Sequence, residues 1–195
     1  MSEIISTTYK GKLDLKDNIP LETPYVIYIE PSGFCNFKCK IYHQYEYPEK
    51  MKELASLMSF ETVENLVSGL KKFGQKVKLI RICGQGEPLI NKNLGKYIKY
   101  LRESDVTEKI ELITNGALLK GDIIDYISKY VSRIVISVEA LDGEGYQELV
   151  GSPVKFDTVV KNIKNVYDNK GQCIVHVKIP SVSVEKQEEK DTFFE

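Results

Sequence analysis

The sequence has no apolar run that approaches the roughly 20 residues needed to cross a bilayer, so no membrane-spanning helix is expected. It also has no dense basic segment, because 27 Lys and Arg are balanced by 28 Asp and Glu, for a net charge of -1. This balance argues against nucleic acid as a main partner. The N-terminus lacks the basic start and apolar core of a secretory signal, so we expect a cytoplasmic protein.

Cysteine is scarce, and its distribution predicts ligands rather than disulfides. The chain has four cysteines, and Cys35 and Cys39 lie in one short loop. In a chain without an export signal, clustered thiols favour reduced cysteines or metal ligands. Two closely spaced thiolates suit an iron-sulfur cluster, although a lone pair of cysteines without further context is more often two buried or incidental thiols.

Apolar periodicity alternates between strand and helix from residue 25 onward. Strands are predicted at Tyr25–Ile29, Val77–Ile82, Ile110–Thr114, Ile134–Val138 and Ile174–Ile179, with helices centred on residues 60–73, 94–101, 123–131 and 156–167. This order predicts an α/β fold of parallel strands, either a barrel or a doubly wound sheet. Residues 1–24 are expected to form an N-terminal arm and residues 25–195 the core, truncated in the helix after the fifth strand.

Each loop with unusual chemistry directly follows a predicted strand. These loops are Cys35–His43, Gly84-Gln85-Gly86-Glu87-Pro88, Thr114-Asn115-Gly116 and Ser137-Val138-Glu139-Ala140-Leu141-Asp142. In a β/α barrel the carboxyl ends of all strands share one mouth, where active sites lie, whereas a doubly wound sheet distributes them unevenly. The pattern therefore favours a barrel.

These loops together resemble the radical S-adenosylmethionine (radical SAM) superfamily, whose signature C-x-x-x-C-x-x-C follows the first barrel strand. The segment Glu30–Lys40 is similar to that opening, and Gly84–Pro88 to the superfamily's Gly-Glu-Pro motif. Thr114–Gly116 and Ser137–Asp142 are similar to its third and fourth strand endings. The resemblance runs from about Tyr25 to the end and implies a partial (β/α)6 TIM-like barrel of the radical SAM type, with parallel strands and outer helices.

The resemblance implies a 4Fe-4S cluster and S-adenosylmethionine (SAM) as cofactors. Reduction of such a cluster cleaves SAM to a 5′-deoxyadenosyl radical, which abstracts hydrogen from an organic substrate. A small-molecule or peptide substrate and an external electron donor are implied, while the catalytic side chains stay unknown. The tail is similar to members that continue into a SPASM domain, although no cysteine follows Cys173 to hold an auxiliary cluster. The alternative is a degenerate, non-catalytic member that serves as a SAM-binding or scaffold protein.

The resemblance also assigns roles to individual residues. Glu87 and the backbone of Gly84, Gln85 and Gly86 would orient the methionine ammonium of SAM. Ser137 and Glu139 would face the ribose hydroxyls, because a hydroxyl and a carboxylate both pair with a diol. Thr114 and Asn115 complete the expected cofactor-binding set.

The third cluster cysteine of the superfamily pattern is missing. Tyr42 stands in its place, either as a substitution or because a cysteine between Ile41 and Tyr42 has been lost. A phenol with a pKa near 10 is a poor substitute for a thiolate, whereas imidazole can hold iron, so His43 is the candidate third ligand beside Cys35 and Cys39. A histidine in such a loop is more often a residue without a ligand role, and a zinc site of the same three residues with water also fits the donor chemistry.

Several polar or reactive side chains interrupt the apolar strands. Arg81, Glu111, His176 and Lys178 either line the barrel cavity or point outward between helices. Cys83 is expected to be a buried small residue close to the mouth. Cys173 is expected at the opposite end of the barrel.

Overall fold

The computed structural model describes residues 16, 19–40, 46–180, 183 and 191. Its strands are β1 Val26–Ile29, β2 Leu79–Ile82, β3 Ile110–Thr114, β4 Arg133–Ser137 and β5 Ile174–Lys178. Its helices are α1 Pro48–Leu54, α2 Phe60–Leu70, α3 Leu94–Glu103, α4 Ile123–Tyr130, α5 Gly143–Val150 and α6 Phe156–Asp168, and a 3₁₀ turn covers Pro88–Ile90.

The five strands form one parallel sheet in the order β1-β2-β3-β4-β5. Each strand pairs with its neighbour in sequence, and helices supply the crossovers that parallel pairing requires. This order is that of a β/α barrel, because a doubly wound sheet reverses its order at a switch point. The predicted partial barrel is confirmed for five strands, and a sixth is not present among the described residues.

One face of the sheet carries the hydrophobic core. The strand residues on this face are completely buried against the helices: Ile80, Ile82, Ile110, Leu112, Ile134 and Ile136. Because successive side chains in a strand alternate between faces, the intervening residues form the opposite, inner face of the incomplete barrel. The core therefore lies between the sheet and its helices.

The inner face is strongly polar. Arg81, Glu111 and Arg133 are register partners across β2, β3 and β4, and both arginines form ion pairs with the buried Glu111 carboxylate. His176 is the register partner of Val135, and Lys178 that of Ser137 on the same face. The four polar strand residues singled out in the sequence thus face the barrel interior rather than the helices.

Two short helices were not predicted from the sequence. Helix α5 begins after Asp142, whose side chain accepts a hydrogen bond from the Gly145 N–H at 2.7 Å, and it ends at Gly151, which has a φ of 54°. This helix has only eight residues, two of them glycine, so its apolar periodicity is weak. Helix α1 has only seven residues, so it is also too short for its apolar periodicity to be detected.

The ends of the longer elements differ from the prediction by a few residues. Ser59 caps the start of α2, because its side chain accepts a hydrogen bond from the Thr62 N–H at 3.1 Å. The helix ends at Leu70 instead of continuing to Phe73, which is 40% exposed and lies in the turn that follows. An apolar residue at the expected spacing therefore extended the prediction past the real end.

Most of the predicted N-terminal arm lies outside the described residues, as does nearly all of the segment after Ser183. The arm, the domain boundary at residue 25 and the truncated final helix stay predictions. Within the described part of the chain, no helix is both long enough and apolar enough to cross a membrane.

Candidate active site

An open cavity of about 300 Å³ lies at the carboxyl ends of the strands. It is lined by residues of all four loops singled out in the sequence: Cys35, Phe37 and Cys39 after β1, Cys83 to Pro88 after β2, Thr114 and Asn115 after β3, and Ser137 and Glu139 after β4. Every predicted site residue that the structure describes is therefore in its wall. His43 and Tyr42 lie outside the described residues, so the proposed third metal ligand stays a prediction.

The cysteine loop is held in place by the end of helix α5. The N–H groups of Lys38 and Lys40 donate to the carbonyl oxygens of Val150 and Leu149 at 2.8 and 3.0 Å. The approach is close enough that a Cβ atom on Gly151 would lie 2.8 Å from the carbonyl oxygen of Lys38. Helix α5, which was not predicted from the sequence, therefore supports the loop that carries Cys35 and Cys39.

Both loop thiols are desolvated. Burial raises the pKa of Cys35, although the Phe37 N–H at 3.4 Å and the Asn115 side-chain amide at 3.9 Å point at its sulfur and oppose that effect. Burial raises the pKa of Cys39 to about 12, with smaller contributions from Glu139 and Cys35. Without a cation the two groups are neutral thiols, and a bound metal would favour their thiolate forms.

The turn after β2 is attached closely to the start of the cysteine loop. The N–H of Cys83 donates to the carbonyl oxygen of Ile29 at 3.0 Å, and that of Glu87 to Phe34 at 2.8 Å. A Cβ atom on Gly86 would lie only 2.1 Å from the carbonyl oxygen of Ser32. Glycine is required here because two backbone segments touch.

The Glu87 carboxylate joins the second loop to the third. It is 2% exposed and accepts hydrogen bonds from the Leu89 N–H at 3.0 Å, the Thr114 hydroxyl at 2.7 Å and the Asn115 N–H at 2.8 Å. Burial raises the pKa of Glu87, and these three donors oppose the rise. The Glu87 carboxylate is therefore already hydrogen-bonded to three protein donors. The backbone of the turn is better placed than this carboxylate to bind the ammonium group of a ligand.

Asn115 continues this network to the cysteine loop. Its side-chain amide donates to Asn36 at 2.9 Å and to the sulfur of Cys35, while its side-chain oxygen accepts from the Ala117 N–H at 3.0 Å. A continuous set of hydrogen bonds thus runs from Glu87 through Asn115 to Cys35. It fixes three loops relative to one another.

The fourth loop presents a buried carboxylate with spare capacity. Glu139 is 6% exposed, and its Oε2 atom has no hydrogen-bond partner among the described residues. Burial raises the pKa of Glu139, and Lys178 opposes the rise. A buried acceptor without a donor is costly, so its position in the cavity wall suits a ligand with hydroxyl donors.

Three further residues were not assigned to the site from sequence. Glu30 accepts hydrogen bonds from the turn after β2, and its only sequence signal was a charge directly after the first strand. Tyr146 is fully buried beneath the loop with its ring 6.1 Å from that of Phe37, and its hydroxyl has no partner among the described residues. Cys83 was predicted to be a buried residue close to the mouth. Its place at the mouth is confirmed because it lines the cavity, but the predicted burial is wrong because it is partly exposed. Cys173 is buried at the start of β5 and takes no part in the cavity, as predicted.

Residues 29–192 match the family model of the Radical SAM superfamily. The chain is 34% identical over 136 residues to the GTP 3',8-cyclase of Staphylococcus carnosus, covering 66% of this chain and 38% of the cyclase. It is 33% identical over 121 residues to a probable GTP 3',8-cyclase of Methanococcus vannielii, covering 62% of this chain and 38% of that protein. The chain therefore spans 38% of the length of these two relatives.

Solved structures share the fold at low sequence identity. Native anSMEcpe with bound AdoMet has a TM-score of 0.67 and 18% identity, covering 88% of this chain and 49% of that one. A methylornithine synthase has a TM-score of 0.60 and 16% identity, covering 91% of this chain and 51% of the synthase.

A parallel sheet in barrel order, with thiols, a glycine turn and buried carboxylates around one cavity, defines a cofactor-binding β/α barrel protein. This chain belongs to the radical SAM superfamily. Proteins of that superfamily use a 4Fe-4S cluster and SAM. The described residues fit both groups: Cys35 and Cys39 offer two thiolate ligands, the close-packed glycine turn admits a ligand to its backbone, and the Oε2 atom of Glu139, without a hydrogen-bond partner among these residues, offers an acceptor.

Proposed function

We propose that this chain is a radical SAM enzyme that binds a 4Fe-4S cluster through Cys35 and Cys39, and SAM in the adjoining cavity. The observation that carries the proposal is the meeting of all four loops around one cavity of about 300 Å³. When bound and reduced, the cluster supplies the electron that cleaves SAM to methionine and a 5′-deoxyadenosyl radical, which removes hydrogen from an organic substrate.

The role of the two cysteines is to hold iron in a fixed place relative to the other loops. The Phe37 N–H and the Asn115 amide already point at the sulfur of Cys35. They stabilise its thiolate form and would influence the reduction potential of a bound cluster. Among the described residues no group of three or more His, Cys, Asp or Glu side chains could hold a metal ion. A third protein ligand therefore has to come from elsewhere, and His43 is the residue we propose for it.

The glycine turn and the fourth loop divide the recognition of SAM. Backbone groups of Gly84, Gln85 and Gly86 face the methionine ammonium. Glu87 acts indirectly, because its carboxylate accepts hydrogen bonds from Thr114 and Asn115. Ser137 and Glu139 accept hydrogen bonds from the ribose hydroxyls, which supplies a donor to the Glu139 Oε2 atom that has no partner among the described residues. This assignment gives the amino group of SAM to the glycine turn and the ribose to the fourth loop.

The proposed substrate is a small molecule or a peptide, and the electron comes from an external donor. The GTP 3',8-cyclases suggest GTP as one compound to offer, and the peptide-bound form of anSMEcpe suggests peptides as another.

The test is anaerobic reconstitution of the whole chain with iron and sulfide, followed by reduction in the presence of SAM. We expect a brown protein with the absorption of a 4Fe-4S cluster, and formation of 5′-deoxyadenosine measured by mass spectrometry. A chain that stays colourless and forms no 5′-deoxyadenosine would overturn the proposal. GTP and peptides are then added separately, and the substrate is the compound that changes the amount of 5′-deoxyadenosine formed and is itself altered.

Matched cysteine variants make the assignment specific. Cys35→Ala and Cys39→Ala should each lose most of the bound iron, while Cys173→Ala should keep it, because Cys173 lies outside the cavity. His43→Ala tests the third ligand, since it should lower the iron content only if His43 holds the cluster. Equal iron content in all variants would mean that the iron is held nonspecifically.

A further inference from the structure

The carboxylate of Glu30 lies against the turn after β2. Its Oε1 atom accepts hydrogen bonds from the N–H groups of both Gln85 and Gly86, the second at 3.1 Å. The contact is so close that a Cβ atom on Gly84 would lie 2.2 Å from the same oxygen. A single charged oxygen thus gathers two consecutive peptide N–H groups.

The geometry of the peptide bond turns this contact into an orienting device. In a trans peptide the N–H and the C=O of one unit point in opposite directions. The N–H of Gln85 shares its peptide unit with the carbonyl of Gly84, and the N–H of Gly86 with the carbonyl of Gln85. Both carbonyl oxygens are therefore directed away from Glu30.

The turn itself borders the cavity. Gly84, Gln85 and Gly86 line the cavity wall, whereas Glu30 does not. In addition, no Lys or Arg among the described residues pairs with Glu30, and its carboxylate accepts hydrogen bonds from the two turn N–H groups. Hydrogen bonds to an ionised acceptor are about twice as strong as neutral ones, and they polarise the peptides they hold.

We propose that Glu30 is a positioning residue that aims the carbonyl oxygens of Gly84 and Gln85 at the cationic amino group of the ligand in the cavity. This inference rests on the proposed function and extends it to a residue that does not itself touch the cofactor. The two peptide carbonyls act as acceptors for an ammonium group, and Glu30 keeps them directed at it. The turn glycines permit the approach of the Glu30 carboxylate.

The test compares two ligands on the chain without iron. S-Adenosylhomocysteine carries the amino group, whereas its desamino analogue keeps the nucleoside and the carboxylate but lacks that group. Glu30→Ala should weaken binding of S-adenosylhomocysteine about tenfold, measured by calorimetry, and leave the desamino analogue within about twofold. Glu30→Gln should lie within about threefold of the wild type, because its amide oxygen can still accept both N–H groups.

A second readout follows the geometry directly. Amide hydrogen exchange of Gln85 and Gly86 should accelerate in Glu30→Ala, and stay slow in the matched control Glu64→Ala, which removes an exposed carboxylate from helix α2. Equal weakening of both ligands would show a merely structural role, and unchanged binding with unchanged exchange would show no role. Either result overturns the assignment of Glu30 while leaving SAM binding intact, whereas a wild-type chain that binds neither ligand refutes the proposed function itself.

Discussion

The contact at Gly86 allows the clearest test of how the first two loops fit together. Gly86→Ala would place a Cβ atom 2.1 Å from the carbonyl oxygen of Ser32 and 2.6 Å from that of Phe34. These neighbours are backbone atoms that cannot rotate away, so the two segments would have to separate by about 1 Å to reach ordinary contact distance.

The expected cost has two parts. Overpacking of a tight contact costs about 1–3 kcal/mol. The separation also breaks the 2.8 Å hydrogen bond from the Glu87 N–H to Phe34, which contributes about 1 kcal/mol. We therefore expect Gly86→Ala to lower the free energy of unfolding by roughly 2–4 kcal/mol.

The assay is urea unfolding of the chain without iron, followed by circular dichroism, with Gly74→Ala as the matched control. Neither glycine has a positive φ, and a Cβ atom on Gly74 would meet no atom of the described residues within 4 Å. Gly74→Ala should therefore stay within about 0.5 kcal/mol of the wild type. If Gly86→Ala unfolds at the same urea concentration as Gly74→Ala, the close contact between the loops does not exist as described.

Three further substitutions test other parts of the molecule. Glu139→Gln should stabilise the chain without cofactors by about 1 kcal/mol at pH 7, because burial raises the pKa of Glu139 and so penalises its charged form. Glu111→Gln should destabilise it by roughly 2–4 kcal/mol, since Arg81 and Arg133 would then face each other without the buried carboxylate between them. Ser59→Ala should cost about 1 kcal/mol by removing the acceptor that caps helix α2. Urea unfolding measures all three.

The pH dependence gives Glu139→Gln a specific signature. A carboxyl whose pKa is higher in the folded chain than in the unfolded chain contributes most to stability below the unfolded pKa. Its contribution is lost as the pH rises towards the folded value. The advantage of Glu139→Gln should therefore vanish below about pH 4, and an advantage that is the same at pH 4 and pH 7 would mean that the charge is not its cause.

The other two substitutions have matched controls. Glu108→Gln removes the carboxylate of an exposed ion pair with Lys78, so it should change stability far less than Glu111→Gln. Thr62→Ala keeps the backbone N–H that Ser59 caps, so a loss as large as that of Ser59→Ala would contradict the capping explanation.

The strands and the chemical loops could be predicted because their signals are local. Apolar periodicity identified all five strands, and turn chemistry placed each candidate loop directly after one of them. Parallel strands then required these loops to meet at one end of the sheet, as they do. Helix α5 escaped prediction because eight residues with two glycines show too little periodicity, although the helix carries the cysteine loop.

Tertiary structure decided which partner each site residue has. Glu87 and Glu139 are both carboxylates after a strand. Glu87 accepts hydrogen bonds from three donors, whereas the Oε2 atom of Glu139 has no partner among the described residues. Nothing in their local sequence distinguishes them, because their partners come from other loops. Glu30 meets its partners 55 and 56 residues further along the chain, and only the folded sheet brings them together. Residue types and strand order therefore determined the kind of site, and packing between distant loops determined the task of each carboxylate.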